Sequence, residues 1–404
     1  MDPAPRRHGG ATVALLAGML VIHNAHRMGV TPLFGELRDR FGTDYAGVGT
    51  LFSAYVLGYA ICQTLIGFFG DRFDARRLLL TGLALSILWS ALFALARSYQ
   101  LALLTRFLLG ATSSLLYTPA MSLGILLFDR AARGKVMGTI QSGAGIGMGG
   151  AVILMPLIAT RFGITASFLS LSLAAALLLA LTARGLPAAR RDRTARPADS
   201  PNLARRLDFW NLLSANFTGM LASYGLLTWL PTYLAQDYGF STVSAGTATA
   251  LFNVAMLVAA PLVGMLADLP GGRVGVLLVG STLTIICYVA LLPQQPLHIV
   301  LLISVVIGVS LSATTAPMML FGGERFDPRD TQRVVGLFSS AAQVGAALAG
   351  GIFGAILART GSFTPIWAVC AALAIARLAL LLTLTVSDRA ITARRRADLA
   401  QQNR

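Results

Sequence analysis

The sequence predicts an all-α, polytopic membrane protein with 12 transmembrane helices in two pseudo-symmetric six-helix bundles. Three observations predict it: a composition too apolar for a water-soluble core, a lopsided distribution of arginines, and a gapless internal repeat.

Of the 404 residues, 55% are hydrophobic and only 12% are charged, against about 25% charged in ordinary soluble domains. Apolar stretches of about 20 residues, enough to cross a hydrocarbon layer of roughly 30 Å, recur along the chain. Spans are read at 11–33, 46–69, 78–96, 99–128, 136–160, 165–183, 209–235, 243–267, 274–292, 297–321, 334–358 and 363–386. The N-terminal run continues past His23 without a small-residue cleavage site, so it reads as the retained first span.

A net charge of +15 would point to nucleic acid in a soluble chain. Here its location decides otherwise. Twelve crossings put both termini on one side, whose segments hold 24 of the 32 basic residues, while the opposite side holds five. That excess assigns the termini to the cytoplasm and the protein to the cytoplasmic (inner) membrane, with the lipid bilayer and not nucleic acid as its surroundings. Arg27, Arg106 and Arg377 remain inside spans. Cys62, Cys287 and Cys370 are isolated from one another in apolar stretches, which indicates neither a disulfide framework nor a metal-ligand cluster. No cofactor is implied, and no grouping of nucleophile and base supports an enzyme.

The segment LPAARRDRTARPADSPNLARR interrupts the spans with prolines and arginines and reads as a linker. It divides the chain into an N-terminal bundle (1–183), a cytoplasmic linker (184–208), a C-terminal bundle (209–388) and a cytoplasmic tail (389–404). Sliding the sequence by 198 positions pairs Gly110 with Gly308, Pro119 with Pro317, Asp129 with Asp327, Val136 with Val334, Gly147 with Gly345 and Arg161 with Arg359. Shared apolarity does not produce matches of proline, aspartate and arginine. Because each half has an even number of spans, the copies are parallel, related by an axis along the membrane normal, with room for a cavity between them.

After the second span of each half come GFFGDRFDARR, from Gly67, and GMLADLPGGR, from Gly264. These resemble the signature loop of the major facilitator superfamily, G-x-x-x-D-R/K-x-G-R/K, and its weaker second copy. Gly67, Asp71, Arg72 and Arg76 fit, as do Gly264, Asp268, Gly272 and Arg273; Asp74 stands where the motif has glycine. The resemblance implies alternating access by rocking of two bundles within a single subunit, and so a monomer sufficient for function. A carboxylate at a helix end docks favourably on the positive N-terminus of another helix. On that basis Asp71, Arg72, Arg76, Asp268 and Arg273 are expected to gate the cytoplasmic end.

All 17 acidic residues lie outside the spans or at their ends, so no carboxylate stands at mid-membrane. An arginine near the bilayer centre costs roughly 2.5 to 3.5 kcal/mol and ordinarily faces a cavity or a partner. Arg27 has no carboxylate in its own span, and His23 lies one turn away on nearly the same face. Two readings follow: the missing anion is the substrate, clamped by Arg27 with His23 as a titrating neighbour, or Arg27 snorkels to the interface while His23 and His26 pack as neutral rings. Arg106 has two readings as well, substrate contact or a structural bond to the first span. Arg377, on the last span, reads as a packing residue. Tyr55 and Tyr59 on span 2, Tyr224 on span 7, Asn253 on span 8 and Gln343 on span 11 extend a polar, non-acidic cavity lining. The glycine run SGAGIGMGG, 142–150, reads as close helix packing, since it lacks the strand that a nucleotide loop requires.

HRMGV, RFLLG with LLFDRAARGKVMG, and TWLPTYLAQDYGFS resemble the anion:cation symporter branch of the superfamily, whose members mostly move organic carboxylates. Ser113 stands where that branch has a glutamate, which leaves His23 and His26 as proton-coupling candidates. The expected function is secondary active transport of a small organic anion, coupled to protons. The alternative is export of drug-like or metabolite molecules, with structural arginines.

Overall fold

In the computed structural model, residues 9–69, 73–128, 130–186, 206–267, 269, 272–324, 326 and 331–402 are described. They form helices α1 (Gly10–Met28), α2 (Phe34–Phe41), α3 (Tyr45–Phe69), α4 (Ala75–Leu95), α5 (Tyr99–Leu126), α6 (Arg130–Phe162) and α7 (Ile164–Gly185) in the first half. The second half holds α8 (Leu207–Asp237), α9 (Thr242–Ala267), α10 (Gly272–Ala290), α11 (Leu297–Glu324), α12 (Thr331–Thr360) and α13 (Thr364–Gln402).

Ten of the helical stretches are long and apolar enough to cross a membrane, and Val274–Ala290 of α10 is a shorter apolar helix. α8 is long enough at 31 residues but is more mixed in character, because Asn211, Asn216, Thr228 and Thr232 interrupt it. Such interruptions are tolerated where a helix is shielded from lipid by its neighbours, and α8 is buried without a break from Gly225 to Leu234. In the most apolar window of the first span 67% of residues are buried, against 22% for α7. The first span and α8 are therefore interior helices, and α7 is a lipid-facing one.

Two element ends differ most from expectation. The first span does not stop at residue 33: a 3-10 turn, Thr31–Leu33, accommodates Pro32, and α2 carries the rod on to Phe41. Proline fits the first turn of a helix, where its missing N–H is not needed, so it does not end the span. The rod ends at Gly42, whose φ of 59° lets its N–H bond the carbonyl of Arg38. At the other terminus, α13 runs through the expected tail to Gln402. Elsewhere the breaks are set by local caps: Asp74 accepts from the N–H of Arg77 at 2.9 Å, and Ser98 from that of Leu101 at 3.3 Å.

The 198-residue offset recurs in three dimensions. A Cβ on Gly82 would press on Leu115, Leu116 and the carbonyl of Thr112; one on Gly280 would press on Ala313, Thr314 and the carbonyl of Ser310. Each member of the second set lies 198 positions after its counterpart. Likewise Gly163 and Gly361, both at positive φ, begin the last turn-in of each half.

The halves meet through α3 against α12 and α6 against α9, which the offset makes equivalent pairs. Contact is tightest at the end opposite the linker. There the backbones of Gly49 and Gly350 approach so closely that a Cβ on either would strike the other's carbonyl oxygen. Beside them Gly351 N–H donates to Ser53 Oγ at 2.9 Å, Thr242 donates to Glu36 at 2.9 Å, and Gln236 donates to the Tyr45 hydroxyl. Toward the linker end Cβ positions on Gly138, Gly264 and Gly336 meet nothing within 4 Å. Among the described residues, the bundles are closed at one end and splayed at the other.

Replacing Gly49 by Val is expected to force α3 and α12 apart at the closed end, since overpacking of this kind costs about 1–3 kcal/mol. In a background without native cysteines, oxidative cross-linking of a Ser53→Cys, Gly351→Cys pair should drop sharply when Gly49→Val is added; unchanged cross-linking would show that the glycine contact does not hold that end shut.

Candidate substrate-binding site

Arg27 lies just past the middle of the Gly10–Phe41 rod and is 5% exposed. It does not snorkel. Its Nη2 donates to Oε1 of Gln343 on α12 at 3.2 Å, its guanidinium carbon stands 4.4 Å from the ring centroid of Tyr224 on α8, and its Nε has no partner. Both partners belong to the other half of the molecule. Among the described residues no carboxylate reaches it. Gln343 contributes one neutral oxygen to a planar fork that matches two.

His23 is enclosed by tyrosines: Tyr59 with ring centroids 4.6 Å apart, Tyr117 at 6.0 Å and Tyr55 at 6.2 Å. The Tyr55 hydroxyl donates to the backbone carbonyl of His23 at 2.8 Å and also lies 3.2 Å from its Nδ1. A hydroxyl has one proton. With that proton on the carbonyl, the second contact needs Nδ1–H as donor, which leaves Nε2 as the basic nitrogen. Tyr117 donates to Oε1 of Gln141 on α6 at 3.4 Å, and Phe52 lies 6.2 Å from Tyr224.

The other two buried arginines are directed at backbone. Arg106, 1% exposed, donates from Nε to Leu51 O at 3.2 Å and from Nη1 to His26 O at 2.8 Å, with the ring of Tyr55 4.7 Å from its guanidinium carbon. These bonds tie α5 to α1 and α3. Arg377 donates from Nη2 to Thr314 O at 3.1 Å and packs on Gly219, tying α13 to α11 and α8. A helical carbonyl accepts a second hydrogen bond readily because it has two lone pairs.

The remaining sequence candidates are dispersed. His26 is buried beside the Arg106 anchor, with no hydrogen-bonding partner on its ring. Asn253 bonds only back to Thr249 O, at 3.4 Å, and faces Gly149 across the α6–α9 contact, apart from Arg27. Ser113 is fully buried. Of the gating set, Asp71, Arg72 and Asp268 lie outside the described residues. Arg273 begins α10, and its side chain lies outside the description. Arg76 donates to Ala183 O at 2.6 Å, a bond from α4 to α7 inside one bundle and not across the two. Asp74, in place of the motif's glycine, caps α4. Tyr117 and Gln141 join the cluster without having been singled out as site residues. The available signals were Tyr117 on the Arg106 face of α5 and Gln141 as the lone amide of α6.

The site is thus an asymmetric cluster of cationic, aromatic and amide groups where two helical bundles meet. The chain belongs to the Major Facilitator Superfamily, whose model matches residues 16–248 and 212–401. It is 25% identical over 264 residues to the uncharacterized transporter YybO of Bacillus subtilis, covering 59% of this chain and 60% of that one. It is 25% identical to the probable anion transporter 3, chloroplastic, of Oryza sativa, over 63% of this chain and 54% of that one. The probable sulfoacetate transporter SauU of Cupriavidus necator is 27% identical, over 62% and 63%. The chain thus spans a little over half the length of these relatives. Among solved structures, a bacterial homolog of the human lysosomal transporter Spinster, inward-facing and occupied, superposes with a TM-score of 0.72 at 16% identity, covering 93% of this chain and 94% of that one. The nucleoside transporter NupG superposes with a TM-score of 0.74 at 13% identity, covering 92% and 99%.

Arg106→Gln is expected to lower the apparent Tm more than Arg27→Gln does. The first removes two hydrogen bonds from a charged donor to buried carbonyls, at about 1.5–3 kcal/mol each; the second removes one, to a side-chain amide. Equal losses on thermal denaturation in detergent would contradict this division of roles.

Proposed function

We propose that the protein is a secondary active transporter of a small organic anion of the carboxylate type, working by alternating access across the cytoplasmic membrane with both termini in the cytoplasm. One observation carries the reading: Arg27 sits at mid-membrane between the two bundles, paired with an amide and an aromatic face and with one buried N–H free. A carboxylate supplies two charged acceptors for a guanidinium and so completes what the protein leaves open. The names of relatives support the same class, among them anion transporters, a sulfoacetate transporter and a hexuronate transporter. Arg27 is the clamp, His23 its neighbour, and Tyr55, Tyr59, Tyr224 and Gln343 the surrounding wall; Arg106 positions α1. Asn253 belongs to this reading as a lining residue reached only when the α6–α9 contact rearranges.

Proton coupling enters through His23, with His26 as the second candidate. The Nε2 of His23 is the nitrogen at which a transported proton adds, one helical turn from the clamp. The charge distribution assigns the splayed end to the cytoplasm. The protein acts as a monomer, since one chain contains the whole path.

A second reading, export of drug-like molecules, draws on similarity to the fosmidomycin resistance protein of Escherichia coli, which is 23% identical over 85% of both chains. Uptake in proteoliposomes under an imposed pH gradient separates the two by direction. Thermal-shift screening of carboxylates against lipophilic neutral compounds separates them by ligand, because binding to the folded state alone raises its apparent stability.

Carboxylate transport is expected to fall by about tenfold or more in Arg27→Lys, because an ammonium does not reproduce a planar two-point contact; unchanged kinetics in a well-expressed lysine variant would remove the clamp. His23→Gln is expected to flatten the pH dependence of uptake while leaving binding at fixed pH largely intact. A retained pH profile would exonerate His23.

A further inference from the structure

We propose that Gln343 is a built-in occupant of the anion site: its carboxamide oxygen holds Arg27 when no solute is present, and a solute must displace it. The inference rests on the organic-anion reading above. Gln343 Oε1 lies 3.2 Å from Arg27 Nη2, where one oxygen of a carboxylate engaging the guanidinium edge would sit. Tyr224 covers the guanidinium from a ring face at 4.4 Å, which fixes the plane of the fork and leaves its edge as the surface for which acceptors compete. Nε, on that fork, is buried and has no acceptor. The cation is therefore half satisfied by a neutral group.

This arrangement selects by charge. A neutral solute offering a carbonyl exchanges one neutral acceptor for another and also loses its freedom of motion on binding. A carboxylate offers two charged oxygens, so it gains a bidentate, charge-assisted pair that Gln343 does not supply. Displacement also breaks the hydrogen bond that joins α1 of one bundle to α12 of the other. Solute entry and loosening of that inter-bundle tie are then one event.

The sign of a single substitution separates this role from ordinary contact. In purified full-length protein, dissociation constants are measured for matched acids and amides: glucuronate with glucuronamide, benzoate with benzamide, and nicotinate with nicotinamide. If Gln343 competes with solute, Gln343→Ala and the bulkier Gln343→Leu bind the preferred acid more tightly than the parent does. The gain expected for removing one neutral competitor is about three- to tenfold, and the matching amide becomes measurably bound. Gln343→Glu, which puts a permanent carboxylate on Arg27, loses acid binding by more than about tenfold while remaining monodisperse and thermally stable. Weaker acid binding in both Gln343→Ala and Gln343→Leu, or normal acid binding in Gln343→Glu, overturns the competitor role and leaves the anion reading standing. Binding of no acid by the parent protein, with binding of neutral compounds, overturns both.

Discussion

A guanidinium held in the interior of a membrane protein dictates much of what surrounds it. It cannot lose its charge, it carries five N–H donors, and hydrocarbon supplies no acceptors. This chain solves the problem in two ways. Arg106 and Arg377 take helical carbonyls that still have a lone pair to give, so each works as a rivet between three helices. Arg27 is placed where no such carbonyl is in reach and is left with a side-chain amide and a ring. The first solution spends the cation on structure. The second leaves it available, and the interior position of the first span and α8 follows from the need to keep it away from lipid.

The scaffold around that cation is a duplicated one, and its working surface is backbone. Where Gly49 meets Gly350, the bundles touch main chain to main chain, and the neighbouring polar contacts, Gly351 to Ser53 and Thr242 to Glu36, lie on the same end. Toward the linker, among the described residues, a pair of hydroxyls, Thr64 and Ser340, lies 3.5 Å apart across the seam. Close packing through small residues gives a seam that is short-ranged, dependent on exact shape and free of large desolvation costs. Those are the properties of a surface able to part and re-form.

Much of this was legible in the sequence, for identifiable reasons. Repetition survives in residues with special backbone needs, so Gly110 and Gly308, or Gly147 and Gly345, each packed against the backbone of a neighbouring helix, carry the duplication more clearly than the apolar majority does. The isolation of Arg27 from carboxylates was readable because the chain has so few acidic residues. Its partner was readable only as a polar residue on another span: 316 positions separate Arg27 from Gln343, and no local period spans that distance. The run of the first span beyond residue 33 was not legible, because the effect of Pro32 depends on whether it enters a helix's first turn or its middle. Arg106 and Arg27 look alike in sequence; what distinguishes them is which atoms lie opposite.

The offset that relates the halves makes Gly225 the counterpart of Arg27 and Gly145 the counterpart of Gln343. Gly225 is packed under Phe353 and Cys370, with no space for any side chain, and Gly145 faces the apolar end of Leu257. The frame is twofold but its chemistry is not, since the cation and its amide have only glycines at the equivalent positions. Under the proposed function a solute held there meets unlike chemistry on its two sides, so a rocking motion that is symmetric in its hinges need not be symmetric in its load.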